Sequence, residues 1–325
     1  MRKQTDHSIT AEPASVGNII ADLTDGDKPL ASSDLAELSD LNPEEIRLFN
    51  CAWKRIEPEQ RQQIVNRLVE LAEDNIELNF DGIFKHRLKD SSEAVRCKAI
   101  EGLWENEEAS FIQPLIDMME RDSSVKVREA AAIALGRFAM LAEHGKLAPK
   151  QATRLSQALL AAIDGKVNPI DVRRRALEAV APLSLPRVRQ AIMEAYQSGN
   201  QKLKISAIYA MGKNCDLAWL QILLGELTSD SAELRYEAAV ACGELGEEEA
   251  VSSLVELTDD ADAEVQLVAV QALGKIGGSE AKECLELCLS HRSEVVRQVA
   301  EQALYELEIM TEPSSTPWIK FRSRE

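Results

Sequence analysis

Apolar residues recur at a fixed spacing along most of the chain. A valine or leucine, usually followed by a basic residue, is repeated at steps of 32, 45, 31, 31, 31 and 31 residues. An alanine stands four positions after each of these residues, and an apolar residue stands eight positions after. Since offsets of 0, 4 and 8 fall on one face of a helix, each unit predicts an amphipathic α-helix. The repeated pairs are Val95-Arg96, Val127-Arg128, Val172-Arg173, Leu203-Lys204, Leu234-Arg235, Val265-Gln266 and Val296-Arg297.

A second amphipathic stretch follows each of these helices after a short polar turn. Val251, Leu254 and Leu257 form one such stretch. A single helix pair cannot cover its own apolar stripe, so the pairs must stack on one another. The sequence therefore predicts an all-α fold, an α-solenoid of stacked antiparallel helix pairs. The arginines of the repeated pairs are interpreted as a structural ladder that binds acidic residues at the turns: Arg96, Arg128, Arg173, Arg235 and Arg297.

Two units show a fuller pattern, in which an acidic turn precedes Val-Arg and the alanine. Asp90-Ser91-Ser92 precedes Val95-Arg96, and Asp122-Ser123-Ser124 precedes Val127-Arg128. This pattern resembles the HEAT-repeat family, in particular its short bacterial, phycobilisome-lyase-type form, over about residues 78 to 308. The resemblance implies a right-handed superhelix of the armadillo/HEAT kind, whose second helices line the concave surface. It does not imply one function, because such arrays serve many tasks.

The N-terminal region divides into a tail and two helices. Residues 1–38 lack a periodic apolar pattern and are expected to form a flexible acidic tail, with at most a short helix near Val16 to Leu23. Residues 39–77 are expected to form two capping helices. One starts at Asn42-Pro43-Glu44-Glu45 and the other at Pro58, because proline fits the first helical turn and acidic residues favour the positive end of the helix dipole.

Residues 78–310 are predicted to form the repeat array, with about seven repeats. The step of 45 residues places an insertion near 141–153, where Pro149 is expected to start a lengthened helix. Residues 311–325 form a C-terminal tail. Its aromatic and basic residues alternate at Trp318–Arg322, so it either docks onto an acidic surface or is disordered.

Charge is distributed unevenly on this chain, whose net charge is −18. Residues 166–204 contain eight basic and three acidic residues, whereas residues 226–264 contain thirteen acidic residues and one basic residue. This contrast indicates a bipolar groove that orients a charged partner, or a solvated face whose charges pair with each other. The basic patch at Arg173, Arg174 and Arg175 leaves nucleic-acid binding as an alternative, although the negative net charge repels phosphate backbones.

The most informative positions lie at offsets 2, 3 and 6 of the second helices, away from the predicted core face. They are mostly polar in the first three units and largely apolar or aromatic in the next three. Such an apolar strip predicts a partner-binding surface, unless helix packing buries it. The predicted binding residues are Ile205, Tyr209, Tyr236, Val240, Leu267 and Val268, together with Arg173, Arg174 and Arg175.

No catalytic, cofactor-binding or metal-binding residues are predicted. None of the four histidines is followed by glutamate, in contrast to the His-Glu motifs of the HEAT-repeat deoxyhypusine hydroxylases. Cys284 and Cys288 share a helix face, which suits a redox pair or two small core residues; two thiolates are too few for a structural zinc site.

We therefore expect a non-enzymatic scaffold or adaptor that binds another, unidentified protein and uses no cofactor. A phycobilin lyase-like enzyme or enzyme subunit is the first alternative, and a nucleic-acid-binding protein is the second. The chain has no apolar run of membrane-spanning length and no secretory signal, and its cysteines fit a reducing compartment, so a bacterial cytoplasmic protein is expected.

Overall fold

The computed structural model describes residues 16–25, 28 and 30–311, with side chains to residue 309. Within this part of the chain there are eighteen α-helices, three short 3₁₀ helices and no strand. The chain divides into two compact units, residues 1–138 and 139–325. The segment Trp318–Arg322, for which docking or disorder was expected, lies outside the described residues.

The first unit consists of short helices followed by helix pairs. Its helices are α1 (Val16–Asp22), α2 (Ser32–Ala36), α3 (Pro43–Trp53), α4 (Pro58–Asp74), α5 (Asp81–Arg87), α6 (Glu93–Gly102) and α7 (Ile112–Arg121). Helix α8 (Val125–Glu143) begins in this unit and ends in the second one.

The second unit continues the alternation of first and second helices to the end of the described chain. Its helices are α9 (Pro149–Asp164), α10 (Ile170–Val180), α11 (Pro186–Tyr196), α12 (Gln201–Asn214), α13 (Leu220–Glu226), α14 (Ala232–Leu245), α15 (Val251–Leu257), α16 (Ala263–Ile276), α17 (Ser279–Cys288) and α18 (Glu294–Thr311). The even-numbered helices from α6 carry the repeated valine or leucine and the alanine, and these residues are buried. The predicted α-solenoid of helix pairs is confirmed.

Several helix starts follow directly from local sequence. The Asn42 side chain accepts hydrogen bonds from the backbone N–H groups of Glu44 and Glu45, at 2.9 and 3.1 Å, while the Glu45 carboxylate accepts from the Asn42 N–H at 2.9 Å. This capping box satisfies N–H groups that have no partner inside the helix. Pro43, Pro58 and Pro149 occupy the first turns of α3, α4 and α9, as the sequence predicts.

The described part of residues 16–38 is more ordered than the sequence predicts. The expected short helix is present as α1, but α2 was not anticipated, and both pack against the following pair, α1 on α3 and α2 on α4. Ile19, Ile20, Leu23, Leu35 and Leu38 are all buried. Helices of five to seven residues are too short to show a helical period, and tertiary packing rather than local preference stabilises them.

The second helices α12, α14, α16 and α18 of the second unit meet their neighbours at a glycine, whereas α10 carries Ala181 at that position. This glycine stands nine residues after the repeated hydrophobe, and it faces an alanine seven residues after the next hydrophobe. A Cβ atom added to the glycine would lie no more than 3.0 Å from that alanine, which is closer than protein interiors tolerate without movement. The contacting pairs, with the shortest distance for each, are Gly212–Ala241 at 2.8 Å, Gly243–Ala272 at 3.0 Å and Gly274–Ala303 at 2.6 Å.

The last described helix departs from this pattern. On α18 the position of the glycine is taken by Tyr305, whose side chain is 60% exposed. The position equivalent to the buried Ile208 and Val270 is taken by the exposed Glu301. A tyrosine and a charge prevent a further second helix from approaching as closely as α16 approaches α14.

Ion pairs link each of three second helices to the turn of the next pair. Arg61 binds Asp90, Arg96 binds Asp122 and Arg235 binds Asp260, with N–O distances of 2.7 to 2.9 Å. Each of these carboxylates also accepts the backbone N–H two residues further on, at 2.8 to 2.9 Å, which fixes the turn. Side chains at the same position in other pairs donate to backbone carbonyls of their own pair: Arg128, Arg173 and Arg297.

The glycine contact gives the first testable prediction. Replacing Gly212 by alanine should lower the free energy of unfolding by about 1–3 kcal/mol, because the new methyl group overlaps the α14 backbone at Ala241. The measurement is urea denaturation followed by circular dichroism. Gly225→Ala in α13 is the matched control, since a Cβ there meets nothing within 4 Å. That variant should be as stable as the parent or more stable, by up to about 1 kcal/mol. Equal stability of Gly212→Ala and the parent would contradict the close contact.

Candidate functional site

The exposed side of four consecutive second helices, α10, α12, α14 and α16, forms the candidate surface, and we call it the α10–α16 face. All four helices belong to the second unit. Helices α12, α14 and α16 each contain fourteen residues, and each begins after a short extended segment. Asn200 caps α12 and Asp262 caps α16 through side-chain oxygens that accept backbone N–H groups.

Most of the predicted apolar strip lies on this face. Tyr236 is exposed, whereas Ile205, Tyr209, Val240 and Leu267 are half-buried. The ring of Tyr209 lies 5.8 Å from the Lys213 ammonium group, a cation–π arrangement. Burial raises the pKa of the Tyr209 hydroxyl, with the nearby Glu178 carboxylate adding to this effect. Five of the six predicted apolar residues are therefore accessible in part.

Val268 differs from the other predicted residues because it is only 4% exposed. Its side chain belongs to the packed interior between helices. It offers no contact surface to a partner in this conformation.

The arginine run is not a free basic patch. Arg174 lies 3.2 Å from Asp171 and 3.3 Å from Glu178, and Arg175 lies 2.7 Å from Glu178. Arg173 donates to the backbone carbonyl of Ile163 at 2.9 Å. Each guanidinium group thus has a partner within the same helix pair, and acidic residues neutralise two of the three charges.

A groove with a volume of about 580 Å³ crosses the α10–α16 face at the N-terminal ends of its helices. We call it the acidic groove. Ile205 and Tyr236 supply its apolar surface, and Arg174 and Lys202 line it from one side. Both cations already contact Asp171, at 3.2 and 2.9 Å. Four carboxylates complete the lining, and none of them forms an ion pair with a cation in the described part of the chain: Glu233, Glu237, Asp262 and Glu264. The uncompensated charge of the groove is therefore negative.

The acidic residues of the groove were not among the predicted site residues. The sequence nevertheless contains a pattern that could have identified two of them, Glu233 and Glu264. It lies at the position directly before the repeated valine or leucine. That position holds Asp171, Lys202, Glu233 and Glu264 at successive steps of 31 residues. Equal offsets on stacked equivalent helices place these side chains in one row across the face. The offsets chosen from the sequence omitted this row.

Glu237 has an unusual electrostatic environment at the wall of the groove. Burial, with a smaller effect of the neighbouring Glu178 carboxylate, raises the pKa of Glu237 from 4.5 to about 6. Arg175 and Ser206 both donate to Glu178, at 2.7 and 2.6 Å, and so keep its charge in place. Glu237 thus titrates close to neutral pH.

The cysteine pair of α17 is part of the core. Cys284 and Cys288 are both buried, and burial raises the pKa of both thiols, that of Cys288 to about 12. Both thiols are protonated at neutral pH. Over the described residues, no group of three or more histidine, cysteine, aspartate or glutamate side chains is arranged to hold a metal ion. No helix in that same part of the chain is long and apolar enough to cross a membrane.

The helix pairs match a known family. A family model described as HEAT repeats matches residues 81–168 and 217–305, more than half of the 325 residues. The chain therefore belongs to the HEAT-repeat family. The segment between the two matches contains α10, α11 and α12, and with them the arginine run, Ile205 and Tyr209. No curated protein matches this chain.

Solved structures with a similar fold differ widely in role. YIBA from Escherichia coli is 16% identical, with a TM-score of 0.45, over 78% of this chain and 98% of that chain. Human deoxyhypusine hydroxylase, in complex with glycerol, is 20% identical, with a TM-score of 0.31, over 90% and 96%. A designed armadillo repeat protein in complex with the peptide (KR)4 is 22% identical, with a TM-score of 0.32, over 69% and 98%. With TM-scores below 0.5, these similarities carry no argument about binding or catalysis.

The raised pKa of Glu237 predicts a pH-dependent stability. The folded protein holds the Glu237 proton more tightly than the unfolded chain, so stability falls as pH rises from about 4.5 through 6. Glu237→Gln removes this penalty and should raise the free energy of unfolding at pH 7.5 by at most about 1 kcal/mol, allowing for solvent screening at this partly exposed site.

Urea denaturation between pH 4.5 and 8 measures this effect. The gain of Glu237→Gln over the parent should vanish near pH 4.5. Glu233→Gln, an exposed position on the same helix, serves as the control and should change stability by less than about 0.5 kcal/mol at any of these pH values. A constant gain at all pH values would contradict the assignment to Glu237 ionisation.

Proposed function

We propose that this protein is a non-enzymatic interaction module that binds a segment of another protein in the acidic groove of the α10–α16 face. HEAT-repeat arrays generally serve as protein-interaction scaffolds. The observation that carries the proposal is the lining of the groove, where Ile205 and Tyr236 lie beside four carboxylates without a cation partner among the described residues. Tyrosine is enriched at protein-binding surfaces, and charge without a partner on the same protein favours a partner of opposite charge.

The charge of the groove specifies the chemistry of the partner segment. A lysine or arginine near Glu233 and Glu264 would gain charge-assisted hydrogen bonds, and an adjacent apolar side chain would cover Tyr236. Arg174 and Lys202, on the other side of the groove, are already paired with Asp171, so the basic residue of the partner should bind on the side of the four carboxylates.

The alternative functions receive less support. Nucleic-acid binding depended on a free basic patch, but Arg174 and Arg175 are paired with Asp171 and Glu178. No feature of the described residues favours a bilin lyase or another enzyme over a binding module. We also propose a reducing compartment such as the cytoplasm, which the six free cysteines support.

Affinity purification of the tagged protein from its native host tests the proposal. We predict that Tyr236→Glu reduces recovery of the specific partner by about tenfold or more, because the substitution removes the aromatic contact area and places a charge against the apolar side chain of the partner. Tyr305→Glu is the matched control, since Tyr305 is also a tyrosine on a second helix of the same unit and is more exposed.

Partner recovery from both variants is compared by quantitative mass spectrometry after circular dichroism has confirmed that they are folded. The proposal expects recovery with the parent and Tyr305→Glu, and its loss with Tyr236→Glu. Recovery should also fall as salt is raised, because the predicted contacts are between opposite charges. Equal recovery of the same proteins by the parent and both variants would rule out the acidic groove.

A further inference from the structure

One helix junction in the first unit breaks the glycine rule described above. In the pair of second helices α6 and α8, the residue nine positions after Val95 is Trp104, and its side chain is 59% exposed. Helix α6 is also shorter at its C-terminal end. It ends at Gly102, seven residues after Val95, whereas α12, α14 and α16 each end eleven residues after the repeated valine or leucine. A tryptophan at this position cannot allow the approach to Ala134 that a glycine allows at the other junctions.

A groove lies where this approach is missing, and we call it the apolar groove. It has a volume of about 390 Å³ and is lined entirely by residues of the first unit. Phe111, Leu115 and Phe138 form its buried floor, while Trp104 and Ile133 stand exposed at its walls. Exposed tryptophan and isoleucine side chains beside a buried aromatic floor are unusual on a charged surface such as this one.

The charged side chains that line the apolar groove each have an opposite charge nearby, although Nη1 of Arg137 is buried without a hydrogen-bond partner. Glu101 binds Lys98 at 2.6 Å, and Arg137 lies 3.6 Å from Glu107 and also donates to the Glu105 carbonyl oxygen. The pKa of the Cys97 thiol is raised, chiefly by burial, which keeps this lining group neutral. Each charged side chain of the lining is therefore part of an ion pair, in contrast to the four carboxylates of the acidic groove in the second unit.

We propose that the apolar groove is a binding site for an uncharged, apolar small molecule of two or three rings. Its volume is near the lower end of the range of about 300–1,000 Å³ typical of small-molecule sites, and its lining combines aromatic and aliphatic side chains with few polar groups. The site is independent of the acidic groove and of any protein partner that binds there.

The test uses N-phenyl-1-naphthylamine, an uncharged probe whose fluorescence increases in apolar surroundings. The intact protein should bind one equivalent with a dissociation constant on the order of 10 μM, as expected for a small apolar ligand. Ile133→Glu should weaken this binding at least about tenfold by placing a charge at the wall. Val125→Glu, on the same helix and outside the groove, should leave it unchanged.

A second groove variant tests the proposal independently, in case Ile133→Glu does not fold. Ala134→Trp fills the groove and should abolish binding, whereas Val125→Trp should retain it. The anionic analogue 1-anilinonaphthalene-8-sulfonate should bind at least about tenfold more weakly than the uncharged probe, because the lining cation, Arg137, already has the Glu107 carboxylate at 3.6 Å.

Three results would overturn the proposal. The first is the absence of probe binding by the parent. The second is binding that both groove variants leave unchanged. The third is a loss of probe affinity at protein concentrations where light scattering detects a dimer. That result would assign the groove to contact with a second copy of the chain.

Discussion

The contact between a glycine of one second helix and an alanine of the next is the constraint on which the stacking of α12, α14, α16 and α18 depends. A glycine has no side chain to hold the helices apart, so the backbone of one helix rests against the Cα and Cβ atoms of the alanine, as at Gly212 and Ala241. The contact repeats every 31 residues and forces equal spacing between the helices. The apolar residues at offsets 0, 4 and 8 can then fill the same space in each of these pairs.

These repeated core contacts do not constrain the exposed positions, and the exposed residues differ between the two units. In the second unit the glycine contacts are kept from α12 to α18, and charged residues on the exposed side of the helices line the acidic groove. In the first unit Trp104 replaces the glycine, and the opening between α6 and α8 becomes an apolar groove. The chemistry of each groove follows from one or two positions per repeat. Substitutions there change what binds without disturbing the core.

The sequence predicts the repeated helices and their core better than it predicts the exposed grooves. Repeated Val, Ala and Leu positions identify the second helices, and Pro43, Pro58 and Pro149 identify helix starts, because core packing and proline geometry act locally or at a fixed period. The short helix α2 has too few residues to show a period, and only its packing on α4 reveals it. Tyr236 and Ile205 could be selected from their offsets, but Val268 could not be recognised as buried. Its exposure depends on the separation between neighbouring helices, which the periodic pattern does not encode.

The most direct test of the repeated glycine–alanine contact is to insert one additional 31-residue helix pair into the chain. A second copy of residues 248–278, inserted between residues 278 and 279, would place Gly274 of the first copy against Ala272 of the second, so that the junction repeats one already present. The account predicts a folded protein whose helical circular dichroism signal rises in proportion to one added helix pair, with a urea midpoint equal to or higher than that of the parent. A loss of cooperative unfolding, or added residues that contribute no helix, would contradict the claim that the 31-residue contact defines the fold.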